Sequence, residues 1–372
     1  MHIHAAFDGG NIEVLDILDQ SARLAIKADT KAHYRQWFYF CVTAPSLQAQ
    51  HLTLVNVDTC SYPLGWQHYQ AVASHDRMHW FRVPTDYDGK NLSIHYSPTQ
   101  AITFYAYFEP YSQERYLDFI AKTQNLCQVD VVATSCEGRP LHLLTIGTAE
   151  PFKRKLWFIA RQHAGEIMAS WFIEGLVAKL LDRLDPVSQQ LLAEAVIYIV
   201  PHMNPDGAVQ GHLRANAQGI DLNRQWLAPN SQLAPEVFHV RQKMLDTGVD
   251  FFLDIHGDEV IPQVFLAYES QTPSFSDRQG RLSEAFSKAL LAASVDFQTE
   301  QGYEKGHFSS ESLTLAGNYI ADAFDCVALT LEMPFKDNAN RPDLKEGWSA
   351  TRSALLAASV VTALGPLVSQ LR

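Results

Sequence analysis

Up to about residue 110 the apolar positions come in short runs rich in β-branched and aromatic residues: IEVLDIL, ARLAIKA, QWFYFCV, LTLVNV, HWFRVP, LSIHY and AITFYAYF. Gly, Pro, Asp and Asn fall between them, as in FDGGN, TAPS and TDYDGKN. Runs of this length bounded by turn formers predict strands. Several in succession, without a helical period, predict a small all-β sandwich. From about residue 114 the rhythm changes. SQERYLDFIAKTQ carries the helical period, and apolar runs then alternate with longer segments. KLWFIA precedes a helical stretch over 166–184, AVIYIVP precedes a long irregular stretch, and VDFFLDIH, VFLAY and CVALTLEM follow. The chain closes on SATRSALLAASVVTAL, where Ser349 is placed to cap a helix. The alternation predicts an α/β fold with a mixed, largely parallel sheet flanked by helices. The expected domains are 1–113 and 114–372, with EPYSQER at the junction.

The formal net charge is −12 and no basic run occurs. That argues against nucleic acid as a partner, since phosphate binding needs clustered Lys and Arg, and it disfavours an anionic membrane surface. The five cysteines, Cys41, Cys60, Cys127, Cys136 and Cys326, form no CxxC pair. They read as small buried residues in a reducing compartment. MHIHAAFDGG has no charged segment leading into an apolar run, and no apolar stretch approaches the roughly twenty residues of a bilayer span. The expectation is a cytoplasmic protein.

Candidate chemistry gathers where strands end. RQHAGE follows KLWFIA and places His163 and Glu166 three residues apart. At a turn or helix start such a pair can face one ion, and imidazole with carboxylate suits zinc. The spacing alone is weak, because about one match is expected by chance in a chain of this composition. His256 and Glu259, in HGDE, form a second match. Context adds weight: His256 also follows an apolar strand, and ligands collect beyond the carboxyl ends of strands in open α/β sheets. CVALTLEMP brings Glu332 to a third strand end, stopped by Pro334. A carboxylate there suits a general base better than packing. PHMNPDG and GHLRANAQGIDLNRQW, read as irregular, carry Arg214, Asp221, Asn223 and Arg224. Arginine grips a planar carboxylate with two parallel hydrogen bonds.

HAGE, NPDG, R…DLNR, a strand ending in His and a strand ending in Glu, in this order, resemble the zinc metallocarboxypeptidases of the carboxypeptidase A type over roughly residues 115–372. FDGGNIEVLD, QWFYFCV, HWFRVP and YFEPYS, with MPFKDN and GWS near the end, are similar to the cytosolic carboxypeptidase branch, which includes tubulin deglutamylases. The resemblance implies one zinc ion per chain on His163, Glu166 and His256. It implies Glu332 as general base and then proton donor, and Arg214 as the group that polarises the scissile carbonyl. Asn223 and Arg224 would hold the substrate's terminal carboxylate, and Asp221 would fix the His163 ring. The implied substrate is the C-terminal tail of a peptide or protein. An amidohydrolase of N-acyl amino acids on the same scaffold and a non-catalytic tail-binding module are the alternatives. The family's mobile tyrosine has two candidates, Tyr303 and Tyr319, neither at a clean spacing, and both stay outside the expected site. Glu259 is excluded as a fourth ligand, because it would close the open position. Lys305, Arg241 and Lys336 are the basic residues considered for a side-chain pocket, each read first as a surface charge. Whether the chain self-associates is not legible.

Overall fold

The computed structural model describes residues 1–371 apart from 46, 269–271 and 305–308. The turn-punctuated front of the chain forms two five-stranded sheets. One runs in the order His2–His4, Tyr39–Thr43, Ile102–Ala106, Val72–Ser74 and Phe81–Arg82. The other runs Glu13–Leu18, Ser21–Ala25, Gln50–Leu54, Leu92–Tyr96 and Thr85–Tyr87. Leu24, Leu52, Leu54, Leu92 and Ile94 of the second sheet are fully buried, as strand alternation requires of an inward face. Tyr39–Thr43 is buried on both faces except at its last residue, and one apolar core runs on into the rest of the protein. Tyr107 stacks on Phe335 at 4.7 Å across that join.

Residues beyond the Gln113–Thr123 helix form a seven-stranded sheet. Its order is Gln128–Thr134, Pro140–Ile146, Ala195–Val200, Arg154–Ala160, Phe251–Asp258, Val327–Pro334 and Phe265–Tyr268. Four successive strands, from Ala195–Val200 to Val327–Pro334, are mutually parallel; the remaining three join antiparallel. Helices cover both faces. Met168–Leu180, Asp277–Ala293 and Ala350–Leu364 pack against Leu156, Phe158, Leu253 and Ile255. Pro235–Thr247 and Ala316–Phe324 pack against Trp157, Ile159 and Phe252. Alternate residues of one strand thus serve two cores, which explains why these strands read as continuous apolar runs. Ser349 caps the last helix by accepting from Arg352 N.

The stretch read as irregular after AVIYIVP holds two helices. Pro205–Gln210 is capped by the Asn204 side chain. Pro235–Thr247 buries only the narrow stripe Val237, Val240 and Met244 beyond its first two residues, too sparse to stand out among polar neighbours. The helix expected over 166–184 starts at Met168, which leaves Glu166 in the preceding turn. No helix among the described residues is long and apolar enough to cross a membrane.

Candidate metal centre and the pocket around it

At Ala160 the strand ends, and Arg161 adopts a positive φ of 60° that turns the chain. Glu166 N closes the turn on His163 O at 3.3 Å. Gly165 lets the neighbouring loop approach: its N–H donates to Leu213 O at 2.6 Å, and a Cβ there would lie 2.8 Å from that oxygen. His163 and Glu166 therefore project from a fixed turn, and His256 projects from the next parallel strand. His163 Nδ1 lies 2.6 Å from Glu166 Oε1, and His256 Nδ1 lies 2.7 Å from Glu166 Oε2. One donor atom from each of the three lies within 4.8 Å of the others, and all three residues are buried.

The far ring nitrogens face carboxylates. His163 Nε2 is 3.1 Å from Asp221 Oδ1, and His256 Nε2 is 2.8 Å from Asp254 Oδ2. Two imidazoles oriented from behind by acids, with one carboxylate between them, form a donor set that fits zinc. Glu332 stands opposite His256 in the strand register and opens into the same cavity of about 530 Å³. Its Oε1 accepts from Tyr303 Oη at 3.0 Å, while its buried Oε2 has no partner among the described residues.

Residues 113–354 match the zinc carboxypeptidase family, and residues 3–108 match the cytosolic carboxypeptidase N-terminal domain. The chain belongs to the zinc carboxypeptidase family. It is similar to a metallo-carboxypeptidase of Burkholderia cenocepacia, with 46% identity and a TM-score of 0.98 over 100% of both chains. A Pseudomonas aeruginosa metallo-carboxypeptidase, solved in complex with (2-guanidinoethylmercapto)succinic acid, is 43% identical with a TM-score of 0.97, again over 100% of both chains. Human cytosolic carboxypeptidase 4 is 28% identical over 72% of this chain, which spans 29% of that relative's length. The protein is accordingly an enzyme of the metallocarboxypeptidase class, with the mixed α/β fold of its relatives.

Arg214, Asn223 and Arg224 line this carboxypeptidase pocket in different states, while Asp221 is not among its lining residues. Arg214 donates Nε to Asp221 Oδ2 at 2.7 Å and Nη1 to Tyr62 Oη at 2.8 Å. Burial opposes its charge most strongly, but Asp221, Tyr62 and Glu166 together raise the guanidinium pKa. Asp221 thus joins His163 to Arg214, and His163 and Arg214 hold its own pKa down despite burial. Asn223 Oδ1 accepts from Ala316 N at 2.8 Å, which leaves its amide N–H groups for a ligand. The Arg224 side chain is 49% exposed and donates Nη1 to Asn223 O at 2.8 Å.

Four participants were missed. Asp254 sits two residues before His256 on one strand, so both face the same way, and this DxH spacing was a readable signal. Tyr303, left out of the expected site, is in it: its hydroxyl lies 2.8 Å from Asp258 Oδ2 as well as 3.0 Å from Glu332. Tyr319 instead packs under Arg241, 5.1 Å from its guanidinium. Tyr62 and Asp29 come from loops of the N-terminal half and carry no motif. Asp29 accepts from Leu213 N at 2.7 Å and from Arg214 N and Ala215 N at 2.8 Å each, fixing the backbone that carries Arg214.

Glu259 lies buried on the pocket wall, and burial, then Glu166 and Asp258, push its pKa well up. Arg241 donates to Trp226 O and Leu227 O, at 2.8 and 2.9 Å. Lys336 is buried and bound to Gln67 O at 2.9 Å, contrary to its reading as a surface charge. Neither basic residue lines the pocket. Lys305 lies outside the described residues. Burial pushes the Glu332 carboxyl up to about 8, opposed by His256 and reinforced by Glu166 and Asp258. The positive charge of a divalent ion on the three donors would favour its ionised form.

Proposed function

We propose that the chain is a zinc-dependent carboxypeptidase that removes C-terminal residues from peptides or protein tails. His163, Glu166 and His256 would hold the ion; when bound, zinc supplies Lewis acidity that brings the pKa of water to about 7 in favourable sites. Glu332 accepts the proton of the attacking water through its unpartnered Oε2 and returns it to the leaving amine. Tyr303 holds the other oxygen of that carboxylate in place. Arg214, already oriented by Asp221 and Tyr62, donates to the carbonyl oxygen as negative charge develops. Asn223 and Arg224 grip the terminal carboxylate, and that grip restricts cleavage to the last residue. We assign residues 1–113 and 114–372 to two domains and place the enzyme in the cytoplasm.

The observation that carries this reading is the convergence of His163, Glu166 and His256, three groups from two distant segments, beside an orphaned Glu332 oxygen. The Pseudomonas relative supports the clamp, since its ligand is a succinic acid and so presents carboxylates. Incubating zinc-loaded protein with a peptide pool that differs only in the last residue, and reading products by mass, tests the proposal. Loss of single C-terminal residues is expected. Intact peptides, or cleavage of acyl amino acids alone, would overturn it.

A further inference from the structure

A second cavity, of about 220 Å³, lies between the N-terminal sheets and the helix that follows the His163–Glu166 turn. Its walls are mostly polar, with Trp37, Tyr39, Trp80, Tyr111 and Trp171 forming the aromatic part. Trp80 stands edge-on to Tyr39 at 6.0 Å, and Tyr111 edge-on to Trp171 at 5.0 Å.

Three guanidinium groups reach this cavity, and they are not equivalent. Arg115 is neutralised by a bidentate pair with Glu174, at 2.9 and 2.7 Å. Arg77, exposed at the mouth, donates among the described residues only side-chain Nε, to Tyr39 Oη at 3.1 Å. Arg161 is 2% exposed. Its Nε donates to Ala164 O at 3.0 Å and its Nη1 to Ser170 Oγ at 3.2 Å and Tyr111 O at 3.4 Å. Among the described residues Nη2 has no partner, and no carboxylate oxygen comes within 4.0 Å of the group. Asp8 supports the charge from beyond 4.0 Å, but a buried cation whose direct contacts are all neutral oxygens is costly unless a second anion completes it.

Two acids also line the cavity. Asp76 is consumed by Met78 N, His79 N and the His79 ring, at 2.8, 2.8 and 2.6 Å. Asp8 accepts from Gln113 N at 2.7 Å through Oδ2 and has Oδ1 unbonded among the described residues. His212 contributes no charge. Its Nε2 accepts from Thr30 N at 3.0 Å, so Nδ1 carries the proton toward Ala215 O at 2.9 Å.

We propose that this cavity is a binding site for a free α-amino acid with an aromatic side chain. The carboxylate lies against Arg161 and Arg77, the ammonium faces Asp8, and the ring packs among Tyr39, Trp80 and Trp171. Anion, cation and apolar body each meet their complement within one cavity. Arg161 also bonds into the turn that carries His163 and Glu166, so one side chain joins the occupant to the candidate metal centre.

Calorimetric titration of the zinc-loaded full chain with L-phenylalanine, up to ~10 mM, tests the site. The catalytic pocket can also hold this carboxylate, so the decisive protein is Arg224→Gln. Phenylalanine is expected to bind it saturably, with affinity falling about tenfold when Arg77→Gln or Asp8→Asn is added. Arg161→Lys should weaken binding as much. Should that buried variant misfold, the Arg77 and Asp8 variants carry the test. 3-Phenylpropanoate should bind more weakly than phenylalanine, and phenethylamine and inorganic phosphate should give no saturable heat. Binding that vanishes with Arg224→Gln alone, binding untouched by the Arg77 and Asp8 changes, or no binding at all overturns the proposal. Phenethylamine or phosphate binding as tightly as phenylalanine overturns it equally.

Discussion

The two halves of the molecule bury polar groups in different ways. In the N-terminal half no buried carboxylate oxygen lacks a partner among the described residues, although Gln20 Oε1, Arg35 Nε and Gln50 Nε2 do. Gln36 gives Nε2 to Tyr62 O at 3.0 Å and takes Tyr62 N at 3.1 Å. Tyr69 donates to Tyr107 O at 2.7 Å, and both oxygens of Asp29 are filled by backbone N–H groups. At the carboxyl ends of the large sheet, acids crowd against imidazoles with atoms to spare. Among the described residues the buried carboxylate oxygens without a hydrogen-bond partner belong to Glu236, Asp254 and Glu332, all in this half. A fully bonded buried polar group specifies structure, whereas an unsatisfied acid in a cluster marks a place reserved for a ligand or a proton.

The largest test is His256→Ala. Bound zinc should fall from one per chain to near none and peptidase activity to background; dialysis against a chelator should do the same, reversed by zinc. Retained activity would remove the strand ends from the chemistry. Glu332→Gln should keep the metal, read by native mass spectrometry, and lower kcat by about 10²–10⁴. Asp29→Asn tests whether the N-terminal half only scaffolds. Weakening charge-assisted bonds to the 213–215 backbone should lower denaturant stability by about 1.5–3 kcal/mol. It should also lower kcat/KM about tenfold through misplaced Arg214. An unchanged kcat/KM would confine Asp29 to stability. Tyr62→Phe removes one hydroxyl beside Arg214, and a fall of only a few-fold in kcat is expected, corresponding to about 1 kcal/mol.

Glu236→Gln is the control that could break the contrast. Glu236 is fully buried with Oε1 unpartnered, yet it lies off the catalytic pocket. Burial raises its pKa from 4.5 to about 7. The folded protein therefore keeps a proton that the unfolded chain releases, a stabilisation fully present below 4.5 and lost as pH rises through about 7. Wild type should lose stability relative to Glu236→Gln across that window, on the order of 3 kcal/mol by pH 9, with kcat unchanged. A loss of activity instead would make Glu236 part of the chemistry.

Legibility differed between elements for physical reasons. KLWFIA, AVIYIVP, VDFFLDIH and CVALTLEM were readable as strands because both faces are buried and the runs stay apolar. Pro235–Thr247 was not, because its buried stripe is narrow. His163 and Glu166 were legible because a ligand pair on one turn is local in sequence. Tyr303 was set aside on spacing, yet its hydroxyl bridges Asp258 and Glu332 from a segment whose path spacing does not encode.

What the sequence determined by itself is local: which runs are strands, where they stop, and which acids and imidazoles sit at those stops. Periodicity and turn chemistry depend on neighbouring residues, so one chain suffices to read them. The tertiary structure decided which stops meet. Strand order sets Phe251–Asp258 between Arg154–Ala160 and Val327–Pro334, bringing His163, His256 and Glu332 together. It also laid Tyr62 and Asp29, from loops of the N-terminal half, against the Arg214 loop, a long-range contact that no nearby residue announces.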